Sequence, residues 1–337
     1  MPIAQALQSI PVVDNWILLD ELSQEVKMPV LALYIGEGYM LQPALLRPLY
    51  EVLESIAKGE SLALFLRSTG GITEVPWKIV SLLREYSQNL TILVPEIAHS
   101  GATHITLAAD TLIMTELATL SSVDPTRRHP LLPKDKDGDP IPASVQDLKH
   151  CVAFVKEQLG KDHTGSDVAT IIEELFGHVH PLALGAIEQS AELSKMITRK
   201  VLATRREKLS AEHVEKIVEL LAGKYFSHVF PISRDDVRKD LDLKVTEPSP
   251  SIKKRMEALL GYYENEANPV GTGKMDGVDA RLIRSVFIES AQLRKVGYAC
   301  VDSKNNALGI LWKTISRGGT HAKATTNPDP AGKASTG

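Results

Sequence analysis

Short apolar runs alternate with amphipathic helical stretches over the first part of the chain. Pro29 to Ile35 (PVLALYI) and Leu62 to Leu66 (LALFL) are brief, β-compatible and bounded by breakers, the pattern of buried strands. Between them, Leu46, Leu49, Leu53 and Ile56 recur at helical spacing within Pro43 to Ala57. A second helix carries Val75, Ile79, Leu82 and Leu83; Thr73 is placed to cap it and Pro76 falls in its first turn. Leu90 to Val94 predicts another buried strand, followed by a helix from about Gly101 to Ala109 and a strand at Thr111 to Met114. This strand and helix order predicts a parallel sheet with right-handed crossovers.

From Val145 the pattern turns mainly helical, with Val145 to Leu159, Asp167 to Phe176, Pro181 to Lys208 and Ala211 to Ala222 at helical period. Lys134 to Pro142 (KDKDGDPIP) is a polar, breaker-rich loop between the halves. A second composition shift at Thr246 to Ser251 precedes a helix, Ile252 to Glu264, and a hairpin of Gly297 to Val301 with Ala307 to Trp312. The expected organisation is an N-terminal extension (1–25), a core domain (26–245), a small C-terminal α+β region (250–316) and a disordered tail (317–337).

Composition narrows the function. With 337 residues, 43% hydrophobic and 24% charged, the chain can bury a large core and is neither disordered throughout nor fibrous. A net charge of −4 argues against an extended nucleic-acid face. Only Cys151 and Cys300 occur, which excludes a disulfide framework and a four-cysteine zinc site and fits a reducing compartment. No apolar run reaches the roughly 18 residues of a membrane span. The N-terminus lacks a basic and apolar leader pattern, so a cytoplasmic location is expected.

Chemistry concentrates at two turns. Arg67-Ser68-Thr69-Gly70-Gly71 follows the strand LALFL, and paired glycines there let the backbone turn sharply and leave N–H groups open to an anion. Ser100, with Gly101 behind it, stands between the strand TILV and a helix, as a nucleophile on a strand-to-helix elbow does. Each has a plain structural alternative: a connecting turn for the glycines, a helix cap for Ser100. Together they gain weight, because one helix-strand crossover separates them and neighbouring parallel strands bring both to the same sheet edge.

In order along the chain, LALFLRSTGG, TILVPEIAHSGATHITLAADTLIM and LSSVDP resemble three segments of the serine dehydrogenase proteinase family: those around the oxyanion glycines, the nucleophilic serine and the following turn. That family is related to signal peptide peptidase A and the Clp protease, which share the Clp/crotonase fold. His180 to Gly185 and Gly223 to Ile232 resemble it as well, so the likeness covers roughly residues 30 to 245. The resemblance implies an α/β fold: a Clp/crotonase-like parallel sheet core, a helical second half and a small C-terminal α+β addition. It also implies ATP-independent peptide hydrolysis by Ser100, with oxyanion donors among Gly70, Gly71 and Gly101, a polypeptide substrate and a homo-oligomer. The flanks depart: Arg67-Ser68-Thr69 stands where the family reads His-Thr-Pro, His99 where it reads Met, and Val229 where it reads Asp.

The base is left between two residues. The Clp protease carries its histidine some 25 positions after the serine, where this chain reads Ser122-Val123-Asp124-Pro125, so a Clp-like triad is not expected. Relatives of signal peptide peptidase use lysine, for which Lys149 stands at an approximate position. His228 lies in the segment that supplies the third Clp residue. No cofactor and no metal is expected, since His178 and His180 have no companion ligand nearby. The alternatives are a catalytically weak homologue that holds peptides or partners in the same groove, and a crotonase-like acyl-CoA enzyme.

Overall fold

The computed structural model describes residues 2–10, 16–36, 38–159, 165–225, 227–318 and 323–325. Helices α1 (Ile3–Ser9) and α2 (Trp16–Val26) lead into β1 (Val30–Ile35). The chain then alternates α3 (Leu46–Glu54), β2 (Gly59–Arg67), α4 (Val75–Tyr86), β3 (Ser87–Val94), β4 (Ile97–Ala98), α5 (Gly101–Leu107), β5 (Thr111–Met114) and β6 (Thr119–Leu120). The helical part is α6 (Val145–Leu159), α7 (Gly165–His178), α8 (Pro181–Ala203) and α9 (Ala211–Glu219). It is followed by β7 (Ile232–Ser233), α10 (Arg234–Lys239), β8 (Val245–Thr246) and α11 (Pro250–Glu266). Last come β9 (Pro269–Met275), β10 (Val278–Glu289), β11 (Leu293–Val301), β12 (Ala307–Ser316) and β13 (Lys323–Thr325).

β1, β2, β3, β5 and β8 lie side by side and parallel, as the alternation predicts. Their continuous apolar runs reflect burial on both faces. In β1, Leu31, Leu33 and Ile35 enter one core with α3, α4, α5 and α8, whereas Val30, Ala32 and Tyr34 enter a second core under α1, α2 and α11. A small side sheet, β4-β6-β7, stands over the carboxyl end of this parallel core.

The C-terminal α+β addition is not set apart from the core. β10 pairs antiparallel with β1, Ala32 opposite Glu289 and Ile35 opposite Val286, so one sheet runs through both parts of the chain. The expected hairpin forms as β11 and β12, and β9 and β10 form a further hairpin that the apolar pattern does not predict. The N-terminal extension packs with this addition: Glu21 on α2 accepts from Arg255 on α11, and Lys313 on β12 donates to the carbonyl of Ile10. Of the tail expected to be without structure, Lys323–Thr325 pairs with β12 and most of the rest lies outside the described residues. Thr73 does not cap α4; Glu74 holds that position, with no side-chain cap bond.

Candidate active site

β2 and β3 are adjacent and parallel, so the turns that follow them meet at one edge of the sheet. The chain after β2 bridges to β4 through paired amide bonds: Ser68 donates to Ile97, and His99 donates to Ser68. Ser100 therefore arrives beside Gly70. Its backbone takes φ 50° and ψ −118°, a conformation a non-glycine residue adopts at a cost of about 1–3 kcal/mol. Although Ser100 is at the N-cap of α5, its side chain makes no cap bond, and its amide donates to the hydroxyl of Ser121 at 2.8 Å. The cap alternative fails on that geometry. Among the described residues the half-exposed Ser100 hydroxyl has no hydrogen bond that would hold it away from a ligand.

The glycines have separate tasks. Gly70, at φ 104°, is glycine because a Cβ there would stand 2.6 Å from Ser100 Cβ and 2.8 Å from the carbonyl of His99. Its N–H donates to the hydroxyl of Ser68, which removes it from the expected set of oxyanion donors. Gly71 runs against the backbone of Leu41: Leu41 donates to Gly70, Ile72 donates to Leu41, and a Cβ on Gly71 would come within 2.2 Å of the Leu41 carbonyl oxygen. The N–H of Gly71 and that of Gly101, the first residue of α5, are free of protein acceptors among the described residues. The Gly71 nitrogen lies 3.5 Å from where a Cβ on Gly101 would be. Two open N–H groups on neighbouring turns are the kind of donors an anion can accept from.

Arg67, where the family reads His, is a buried strut. Its guanidinium donates to the carbonyl of Ile35 at 2.6 Å, lies 5.3 Å from the ring centre of Tyr34 and faces the Glu96 carboxylate at 3.6 Å. His99 bonds Thr119 through Nε2; burial, then the charges of His228 and Arg67, hold its pKa below the usual histidine value. His104, on α5, is a core residue packed on α8 through Thr198 and Ser194, and burial pushes its pKa down to about 4.

Of the two proposed bases, Lys149 sits exposed on α6. His228 is half-buried in the turn before β7, and its Nδ1 is buried without a hydrogen-bond partner. Two hydrogen bonds link that turn to the serine: the amide of Ser100 to Ser121, and the hydroxyl of Ser122 to the carbonyl of Ser227 at 3.3 Å. The stacking of Phe230 on Tyr225, centres 5.3 Å apart, braces the same turn.

Sequence reasoning passed over Asp124 as a site residue. It is 6% exposed, and burial raises its pKa, against the Ser144 hydroxyl and the charges of His228 and Lys149. An Asp in a turn gives no sequence signal of burial. His129 and His180 serve locally, each Nδ1 accepting the amide two residues on, and no group of three or more His, Cys, Asp or Glu among the described residues could hold a metal. No helix among them is long and apolar enough to cross a membrane.

The protein is an α/β fold whose parallel core brings a glycine turn and a serine elbow to one edge of the sheet. Residues 49–131, which hold both turns, match the family described as ClpP-like SDH-type serine proteinase, the same family that the motifs resemble. Two uncharacterized proteins of Methanocaldococcus jannaschii are similar in sequence. One is 25% identical over 225 residues, 66% of each chain. The other is 27% identical over 157 residues, 41% of this chain and 53% of its own length. This chain thus spans just under two thirds of the first relative and about half of the second. Among solved structures, ClpP1 from Listeria monocytogenes is 11% identical over 70% of this chain and 96% of its own, with a TM-score of 0.36. A membrane-bound stomatin-specific protease is 12% identical over 68% and 82%, with a TM-score of 0.35.

Proposed function

We propose that this chain is an ATP-independent serine peptidase in which Ser100 is the nucleophile and His228 the general base. The observation that carries the reading is Ser100 itself: a strained serine with no side-chain cap bond, packed against the glycine turn at Gly70 and followed by the open N–H of Gly101. Strain at a residue that serves neither cap nor core is characteristic of a working position.

In this mechanism Ser100 Oγ attacks the peptide carbonyl carbon while His228 takes its proton. The carbonyl oxygen gathers negative charge and accepts from the Gly71 and Gly101 N–H groups. On collapse, the C–N bond breaks and the imidazolium returns its proton to the leaving amine. Water, activated by the same imidazole, then hydrolyses the ester and frees Ser100. Lys149 is the weaker candidate, because a lysine acts as a neutral base when desolvated and this one is exposed.

Two further properties belong to this reading. Self-association is supported by the apolar side chains exposed along the helical half, among them Phe154 (61%), Phe176 (47%) and Leu182 (68%). A cytoplasmic location agrees with Cys151 and Cys300 being free thiols. The test is hydrolysis of an unstructured polypeptide without ATP by the wild type and by Ser100→Ala. Activity confined to the wild type supports the proposal; binding of the polypeptide with no cleavage by either favours a peptide-holding homologue.

A further inference from the structure

We infer that Ser121 is the positioning residue of Ser100: its hydroxyl holds the elbow in a backbone form that denies Ser100 a cap bond and leaves Oγ free to react. What this does for turnover rests on the peptidase reading above; the backbone form itself does not. Ser210, Ser233 and Ser249 stand at the N-caps of α9, α10 and α11 with φ between −59° and −72°, and each side chain accepts the amide three residues on. That is the ordinary state of a cap serine. Ser100 holds the same position on α5, yet with φ 50° and ψ −118° its side chain makes no such bond. The amide it would accept is that of Thr103.

The difference lies in what receives the Ser100 amide. β6 runs parallel to β4, with Leu120 opposite Ala98, so Ser121 arrives beside the elbow. It is 1% exposed, and its hydroxyl accepts the Ser100 amide at 2.8 Å. The direction of that bond is fixed, because the one proton of the Ser121 hydroxyl goes to the Ser122 carbonyl at 3.1 Å. Thr103, buried in the first turn of α5, holds Ser121 in return. Its hydroxyl accepts the Ser121 amide at 3.1 Å and donates to the Ala98 carbonyl at 2.8 Å. Two buried hydroxyls thus join β4, the elbow, α5 and β6 in one closed set of bonds. With α5 fixed, rotation of φ from 50° to the cap value turns the Ser100 amide away from Ser121 and carries Oγ toward the Thr103 amide. Without the Ser121 hydroxyl, the strained form keeps an amide with no acceptor and loses its advantage over that relaxed cap.

The experiment is a denaturation cycle. Urea midpoints are measured for Ser100→Gly and Ser100→Ala, each with Ser121 intact and each combined with Ser121→Ala. With Ser121 intact, Ser100→Gly unfolds at the higher urea concentration, since glycine accepts a positive φ that alanine resists. Combined with Ser121→Ala, that gap closes or reverses, because the elbow has relaxed; a gap of the same size in both backgrounds overturns the inference. Should Ser121→Ala fail to fold, Ser121→Cys, which nearly keeps the volume and weakens the acceptor, takes its place in the cycle, and the gap should narrow; an unchanged gap there counts equally against it. In parallel, kcat for peptide hydrolysis falls about 10–100-fold in Ser121→Ala with KM nearly constant, and Ser121→Thr, which keeps the hydroxyl, recovers most of it. Wild-type kcat in folded Ser121→Ala also overturns the inference. The cycle needs no turnover, so failure of the peptidase reading, seen as a wild type that neither cleaves peptides nor labels at Ser100, is distinguishable from failure of the Ser121 role.

Discussion

A Cβ placed on Gly70 would stand 2.6 Å from the Cβ of Ser100, which makes the glycine turn and the serine elbow a single steric unit. Gly70→Ala has to push the elbow away from the sheet and also adopt φ 104° with a side chain. The expected cost is about 1–3 kcal/mol in the midpoint of urea unfolding. Ser100 reactivity is lost with it. An alanine variant as stable and as reactive as the wild type would show that the two turns are independent.

Ser100 is expected to weigh against stability. At φ 50° a glycine relaxes where alanine does not, so Ser100→Gly should be more stable than Ser100→Ala by about 1 kcal/mol, and both should be inactive. Paired denaturation curves check this; a more stable alanine would mean that the backbone there is unstrained.

The bases separate by substitution. His228→Ala is expected to lower kcat by about 10²–10⁴-fold, and Lys149→Ala to leave it within a few-fold. Both side chains lie outside the main cores, so circular dichroism should show both variants folded. The reverse pattern of rates would assign the proton transfer to Lys149.

His104 sets a pH limit on the fold. Its pKa is pushed down to about 4 in the folded protein, against about 6.5 for a solvated histidine. Between those values the unfolded chain binds a proton that the fold excludes. Stability from this residue is therefore complete above about pH 6.5 and is lost as pH falls toward 4, amounting to about 3 kcal/mol. Urea midpoints for the wild type and His104→Gln at pH 7.5 and pH 4.5 measure it. The wild type should fall further than the variant, and equal slopes would count against a buried neutral imidazole.

Much of this arrangement is legible in the chain, and the illegible parts share a cause. β1, β2 and β3 show as unbroken apolar runs because both of their faces are buried. The elbow and the glycine turn show because they stand one helix-strand crossover apart, which brings both to the same edge of adjacent parallel strands. β10 does not show, since Arg281, Arg284 and Glu289 interrupt its alternation and are accommodated only by distant residues, as when Tyr263 donates to Glu289 at 2.9 Å. Its pairing with β1 joins segments at opposite ends of the chain, which no local pattern encodes. Nor does any local pattern show that the Gly70 N–H is taken by Ser68, that Ser100 is uncapped, or that Asp124 is buried beside the His228 turn.

A nucleophilic Ser100 is open to covalent labelling. The wild type is incubated with a fluorophosphonate at neutral pH, digested, and the modified residue located by mass spectrometry. One adduct is expected, on Ser100, formed at a rate that collapses in His228→Ala and absent in Ser100→Ala. An adduct on another residue, or peptide hydrolysis that persists in Ser100→Ala, would contradict it.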